Sequence, residues 1–258
     1  MAERDEMPLL DRAEVTRSLE EALELKEFVH AFWEGGAAAS GTLDQWSDLD
    51  LYLLVDDDRV DEAFAEVERV LQGLSDVRLK LPVPDTGWSG VHQSFYKLVR
   101  MSEYHIIDLA VVTLSAEEKF LEPTVHGEAR FAFNKLGAIE FPPYDEEAVR
   151  KRVSERKRRL SDRIEMFGAF LPKEVNRGNS IEAVDLYHRL FFSTLLELLR
   201  MKHRPEHSGF GTRHTHRELP EPVVAQLVEL AFVRDTDDLV SKQAQVRSWI
   251  SALLCEPD

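Results

Sequence analysis

Gly35-Gly36-Ala37-Ala38-Ala39-Ser40-Gly41-Thr42-Leu43-Asp44-Gln45-Trp46-Ser47-Asp48-Leu49-Asp50 runs directly into the apolar stretch Leu51-Tyr52-Leu53-Leu54-Val55. A glycine pair, a run of small residues, a polar turn and two aspartates two apart lead into a strand. Alternate side chains of an extended chain share a face, so Asp48 and Asp50 point one way and Leu49, Leu51 and Leu53 the other. Two carboxylates on one face are hard oxygen ligands for a divalent cation. The plainer reading is an Asx-type turn with both groups in water. The glycine pair lets backbone approach a ligand closely. Residues 37–42, as a helix start, would offer unpaired N–H groups to a phosphate.

Asp108 shifts the balance towards a metal site. It lies inside Ile106-Ile107-Asp108-Leu109-Ala110-Val111-Val112. Aspartate is disfavoured in strands, and an ionised carboxylate among apolar residues is costly unless paired or metal-bound. An edge strand facing water would also tolerate it. Placed beside Asp48 and Asp50, it would complete a site for two Mg²⁺ ions, roughly 3.5–4 Å apart, which activate an attacking oxygen and stabilise a leaving one.

The surrounding chain frames these acids as part of a globular α+β protein. Its 258 residues suffice for one large domain or two ordinary ones, and 43% hydrophobic with 31% charged residues allows a real core. No apolar run nears the roughly 20 residues of a membrane span. Met1–Glu6 lacks the apolar core of a signal peptide. The single Cys255 permits no disulfide within the chain, so a cytoplasmic location is expected. The net charge of −16 argues against a nucleic-acid partner, which needs a basic surface, and suits a cationic small molecule.

Hydrophobic periodicity predicts helices at residues 13–26 (Leu19, Ala22, Leu23 and Leu25 inward) and 60–74. Strands are expected at 28–33, 49–55, 77–81, 93–101 and 104–113, the last two as a tight hairpin through Ser102-Glu103. Residues 129–134 read as an edge strand. Phe141-Pro142-Pro143-Tyr144 is the best linker, because proline stiffens the chain and extends the residue before it. Beyond it the pattern is helical over 145–170, 181–203, 220–233 and 236–254, with Pro172, Gly178, Pro205 and Gly209 to Gly211 as breaks. The expected organisation is a mixed-sheet domain, residues 1–140, followed by an all-α bundle, residues 141–258.

Gly36, Ala39, Gly41, Ser47, Asp48 and Asp50 match in spacing a known signature: Gly-Ser, small residues, Gly, a short spacer, then Ser-Asp-x-Asp before a strand. Residues 28–113 thus resemble the nucleotidyltransferase superfamily that includes DNA polymerase beta. The chain's size and helical second half look most like bacterial aminoglycoside nucleotidyltransferases. The resemblance implies a Mg-dependent enzyme, active in antibiotic resistance, that moves a nucleoside monophosphate, AMP from ATP, to a hydroxyl of a small acceptor such as an aminoglycoside. It implies that Asp48, Asp50 and Asp108 are the catalytic, metal-binding acids, that Gly35, Gly36, Ala37 and Ser47 hold the nucleotide, and that the helical domain takes the acceptor. One position departs from the pattern: Ala37 stands where the family has serine, at a cost of one hydrogen bond, about 1–3 kcal/mol if charge-assisted. A non-catalytic nucleotide- or partner-binding protein on the same fold, or an enzyme that nucleotidylates proteins, are the competing readings.

Other residues carry weaker signals. Glu182 and Asp185 are three apart on one helix face and are candidates for the general base. Favourable acidic charge at a helix start is the plainer account. Arg152, Arg156, Arg159 and Arg163 form a basic stripe that reads as a solvated face, or else reaches the triphosphate. His203, His207, His214 and His216 fit no zinc spacing. Trp33, Trp46 and Trp88 are candidates for a pocket wall or for core.

Overall fold

The computed structural model describes residues 8–137 and 144–256. Of the expected linker, Phe141 to Pro143 lie outside them, as does the expected domain boundary at residue 141. The chain divides into two compact units, Met1–Tyr144 and Asp145–Asp258. Among the described residues no helix is long and apolar enough to cross a membrane.

The first unit is a six-stranded mixed sheet. Its strands are β1 (Val29–Glu34), β2 (Leu49–Val55), β3 (Val77–Pro82), β4 (Val91–Leu98), β5 (Ile107–Thr113) and β6 (Arg130–Asn134), in the order β3-β4-β5-β2-β1-β6. β2 and β5 run parallel and every other neighbouring pair antiparallel. The alternation read from the sequence separates the two faces. Leu49, Leu51, Leu53, Ile107, Leu109 and Val111 join one core cluster, which α1 (Arg12–Leu23) and α3 (Val60–Leu74) cover with Val15, Leu19, Leu23, Ala63, Val67 and Leu71. Leu25 does not join it and is 82% exposed, because α1 ends at Leu23. Tyr52, Leu54, Ala31, Trp33 and Val112 form a smaller cluster with Ala116 and Leu121. Trp33 is fully buried there and stacks on Tyr52, centroids 5.3 Å apart. Trp46 and Trp88 are more than half exposed.

The expected tight hairpin at Ser102-Glu103 is replaced by a longer connection. β4 ends at Leu98 and β5 begins at Ile107. Arg100 draws the intervening chain away from the ladder: its N–H donates to Ser75 Oγ (3.0 Å) and its guanidinium to the carbonyls of Leu74 (2.9 Å) and Pro8 (3.0 Å).

The second unit is helical, with α5 (Glu146–Phe167), α6 (Phe170–Arg177), α7 (Ser180–Leu186), α8 (Ser193–His203), α10 (Glu221–Ala231) and α11 (Thr236–Cys255). Two short helices of the first unit, α2 (Gly36–Ala39) and α4 (Pro123–His126), and α9 (Thr215–Glu218) of the second complete the series. Pro172 does not break the chain as expected. It sits in the first turn of α6, where its missing N–H has no intrahelical acceptor to lose. The long helix expected over 181–203 carries a π-helical segment, Tyr187–Phe192, between α7 and α8. Arg156 of the basic stripe is bonded twice to Glu197 of α8, at 2.6 and 3.0 Å.

Candidate active site

The parallel pairing of β2 with β5 sets Asp50 directly opposite Asp108. β5 is an interior strand, so the solvent-facing edge expected as the plain alternative for Asp108 does not exist. Gln93 of β4 donates its Nε2–H to Asp108 Oδ1 at 2.6 Å. Burial, and then the nearby charges of Asp50 and Asp48, push the Asp108 carboxyl up to about 6, against the Gln93 bond. Burial and the Asp48 charge also raise Asp50, while Arg12 and the Ala37 N–H pull it down. Three like charges therefore crowd one end of the sheet.

Asp48 lies one residue before β2 and not within it. Its Oδ1 accepts the N–H of Ile106 at 2.8 Å, which ties the entrances of β2 and β5 together. Among the described residues no group of three or more His, Cys, Asp or Glu side chains is gathered closely enough to hold a metal ion. Carboxylates that repel one another have no reason to close without a cation between them.

The glycine pair is required by packing. Gly36 has φ +51°, and a Cβ there would lie 1.9 Å from Asp50 Oδ2. A Cβ on Gly35 would lie 2.6 Å from the Tyr52 ring. The turn therefore lies flat on β2, with Gly35 N–H bonded to Asp50 O at 2.9 Å. This corrects the expectation of unpaired amides in residues 37–42. Ala37 N–H is bonded to the Asp50 carboxylate. The N–H groups of Ala38 and Ala39 go to Gly35 O, Ser40 to Gly36 O, Gly41 to Ala38 O and Thr42 to Ala37 O. The amides of residues 38–42 are thus engaged within the turn itself and that of Ala37 by Asp50. The Ser47 hydroxyl is likewise engaged, donating to Asp44 Oδ1 at 2.8 Å.

Glu182 and Asp185 belong to the second unit. They lie on α7 and line a shallow concavity with Glu174, Ile181 and Leu186. Asp185 is 3.4 Å from Arg189. His207 pairs with Glu218 at 2.8 Å and stacks on Phe210.

Three residues at the acidic site escaped the sequence reading: Arg12, Glu34 and Gln93. Glu34 abuts the glycine pair, a signal that was available. Gln93 could be found only from the pairing of β4 with β5, and Arg12 only from the docking of α1.

The raised Asp108 has a consequence for stability. A carboxyl whose folded value lies above its ordinary one stabilises the fold while protonated, and that contribution is lost as pH rises from about 4 through about 6. At pH 7.5 the ionised group then costs on the order of 2 kcal/mol. Asp108→Asn keeps an acceptor for Gln93 and should raise the melting temperature of the metal-free protein at pH 7.5 by roughly 5 °C. The gain should shrink towards zero near pH 4. Calorimetric melts across that range check it, and a gain independent of pH would rule this origin out.

No family model matches the chain, and no curated protein sequence does. Among solved structures it is similar to an aminoglycoside 6-adenyltransferase from Bacillus subtilis, at 13% identity and TM-score 0.35 over 95% of this chain and 90% of that one. It is also similar to spectinomycin adenyltransferase AAD(9) from Enterococcus faecialis, solved with ATP and spectinomycin, at 13% identity and TM-score 0.34 over 96% and 92%. At such scores neither likeness bears on what this chain does, and the functional case rests on its own residues.

Proposed function

We propose that this chain is a nucleotidyltransferase that moves a nucleoside monophosphate, AMP from ATP, to a hydroxyl of a small cationic acceptor such as an aminoglycoside. The observation that carries the reading is Asp50 facing Asp108 on the parallel pair, with Gly36 pressed against the Asp50 carboxylate, inside a stretch that resembles the superfamily signature.

The donor set fits Mg²⁺: its oxygens are hard carboxylate ligands, and their mutual repulsion is what a divalent cation relieves. Asp48, Asp50 and Asp108 would hold it. Bound there, Mg²⁺ would neutralise phosphate charge and acidify the acceptor hydroxyl. Asp108, opposite Asp50 on the parallel pair, is placed as the carboxylate that would take the hydroxyl proton. The acceptor oxygen then bonds to the α-phosphorus, the bond from that phosphorus to the bridging oxygen breaks, and pyrophosphate leaves with the electron pair. Gln93 orients the Asp108 carboxylate through its bond to Oδ1.

A second reading, a nucleotide- or partner-binding protein without turnover, is favoured by Ala37 and by the already engaged amides of residues 37–42. Incubation with Mg²⁺, each nucleoside triphosphate and an aminoglycoside panel, read by mass spectrometry, separates the two. The expected result is a nucleotidylated acceptor plus pyrophosphate, with Asp50→Asn and Asp108→Asn slower by roughly 10³-fold or more. Bound nucleotide with no product across the panel would establish the second reading. Labelled protein would establish a protein acceptor.

A further inference from the structure

The two ends of the signature loop are joined through a residue far outside it. Arg12, the first residue of α1, donates from Nη1 to the Ser47 carbonyl at 2.6 Å and also to the Asp48 carbonyl. Its Nη2 lies 3.5 Å from Glu34 Oε2. Both side chains are about four-fifths covered, at 19% and 21% exposed. Glu34 ends β1 and immediately precedes the glycine pair, while Ser47 and Asp48 immediately precede β2. The loop between them, residues 35–46, is thus fastened at both ends to one guanidinium. The guanidinium itself is fixed. Val15, Leu19 and Leu23 seat α1 on the sheet, and Asp11 caps its start by accepting the Glu14 N–H at 2.7 Å.

We propose that Arg12 is a positioning residue for the acidic site: a strap that sets the spacing of Glu34 and the Ser47-Asp48 backbone and so holds Asp48 and Asp50 ready for a divalent cation. The inference rests on the metal reading proposed above. A planar fork with several donors can serve a carboxylate and two carbonyls at once, which a lysine ammonium on a flexible stem does poorly.

Position and charge make opposite demands. A positive charge beside Asp50 repels a second cation, so removing it by itself would strengthen metal binding. Removing the strap loosens the ligands and weakens binding. The sign of the change therefore separates the strap from the charge acting alone.

The test is Mn²⁺ titration of the whole chain, followed by electron paramagnetic resonance, for wild type, Arg12→Met, Arg12→Lys and Asp50→Ala. Melting curves monitor folding. The strap predicts that Arg12→Met and Arg12→Lys both bind Mn²⁺ more weakly, by roughly 10-fold or more, as for other residues that orient metal ligands. Tighter binding by Arg12→Met, or wild-type binding by Arg12→Lys, overturns it. Amide hydrogen exchange over residues 42–50 of the metal-free chain is the second readout, with faster exchange expected in both Arg12 variants. If wild type shows no Mn²⁺ binding that Asp50→Ala removes, the metal reading is what has failed. Exchange then decides the strap alone, and unchanged rates in the variants overturn it.

Discussion

Gly36→Ala should cost the first unit roughly 2–4 kcal/mol and remove the proposed nucleotidyl transfer as completely as Asp50→Ala should. Two effects add. The position has φ +51°, a left-handed conformation in which a Cβ costs roughly 1–2 kcal/mol. The new methyl would also lie 1.9 Å from Asp50 Oδ2 and 2.5 Å from Cγ. Neither backbone gives easily, since β2 is an interior strand and the turn is bonded to it through Gly35 N–H. The carboxylate must rotate, which breaks its bond from Ala37 N–H and turns it from Asp108. A double-mutant cycle separates the terms. Asp50→Ala deletes the atoms at 1.9 and 2.5 Å and leaves only Cβ, at 3.1 Å. In that background Gly36→Ala should cost only its backbone term. An equal cost in both backgrounds, measured by urea denaturation, would refute the clash.

Arg200→Ala should destabilise the second unit by about 3–5 kcal/mol, the usual penalty for breaking a buried ion pair from one side. Arg200 is fully buried in α8. Its Nε donates to Gly211 O at 2.7 Å, and its Nη groups to the Glu218 carboxylate and the Arg213 carbonyl. Glu218 accepts a second bond at His207 Nδ1, 2.8 Å away, when that nitrogen carries the proton. The winding chain from Pro205 to Glu218 is thus wrapped around one guanidinium. Truncation leaves Glu218 and two carbonyls short of partners in a covered site. Arg200→Lys should recover only part of the loss, because one ammonium cannot replace donors on three sides. Urea unfolding with proteolysis of residues 204–219 checks it. A loss below about 1 kcal/mol would mean that water replaces the guanidinium at little cost.

Much of the first unit was legible because its cues are local. Leu49–Val55 and Val60–Leu74 coincide with the ranges expected from alternation and from helical spacing. Both patterns arise within one element, where side-chain period follows directly from backbone geometry. The connection after Leu98 is not legible in the sequence, because its path depends on Arg100 finding Leu74, Pro8 and Ser75. The π-helical segment in 187–192 has no counterpart in the hydrophobic period, which runs on through it.

The candidate site divides along the same line. Asp48, Asp50 and the glycine pair are neighbours in the chain, so their chemistry and spacing announce themselves. The sequence alone determined the acidic motif, the strand that carries it and the succession of a sheet region and a helical one. Only the tertiary structure set Asp108 opposite Asp50, turned the glycines into a packing requirement, engaged the amides of residues 37–42 and brought Arg12 and Gln93 to the acids. Strand register and helix docking are decided by contacts between residues far apart in the chain. No local period records them, and at this site they govern which carboxylates meet and which charge stands beside them.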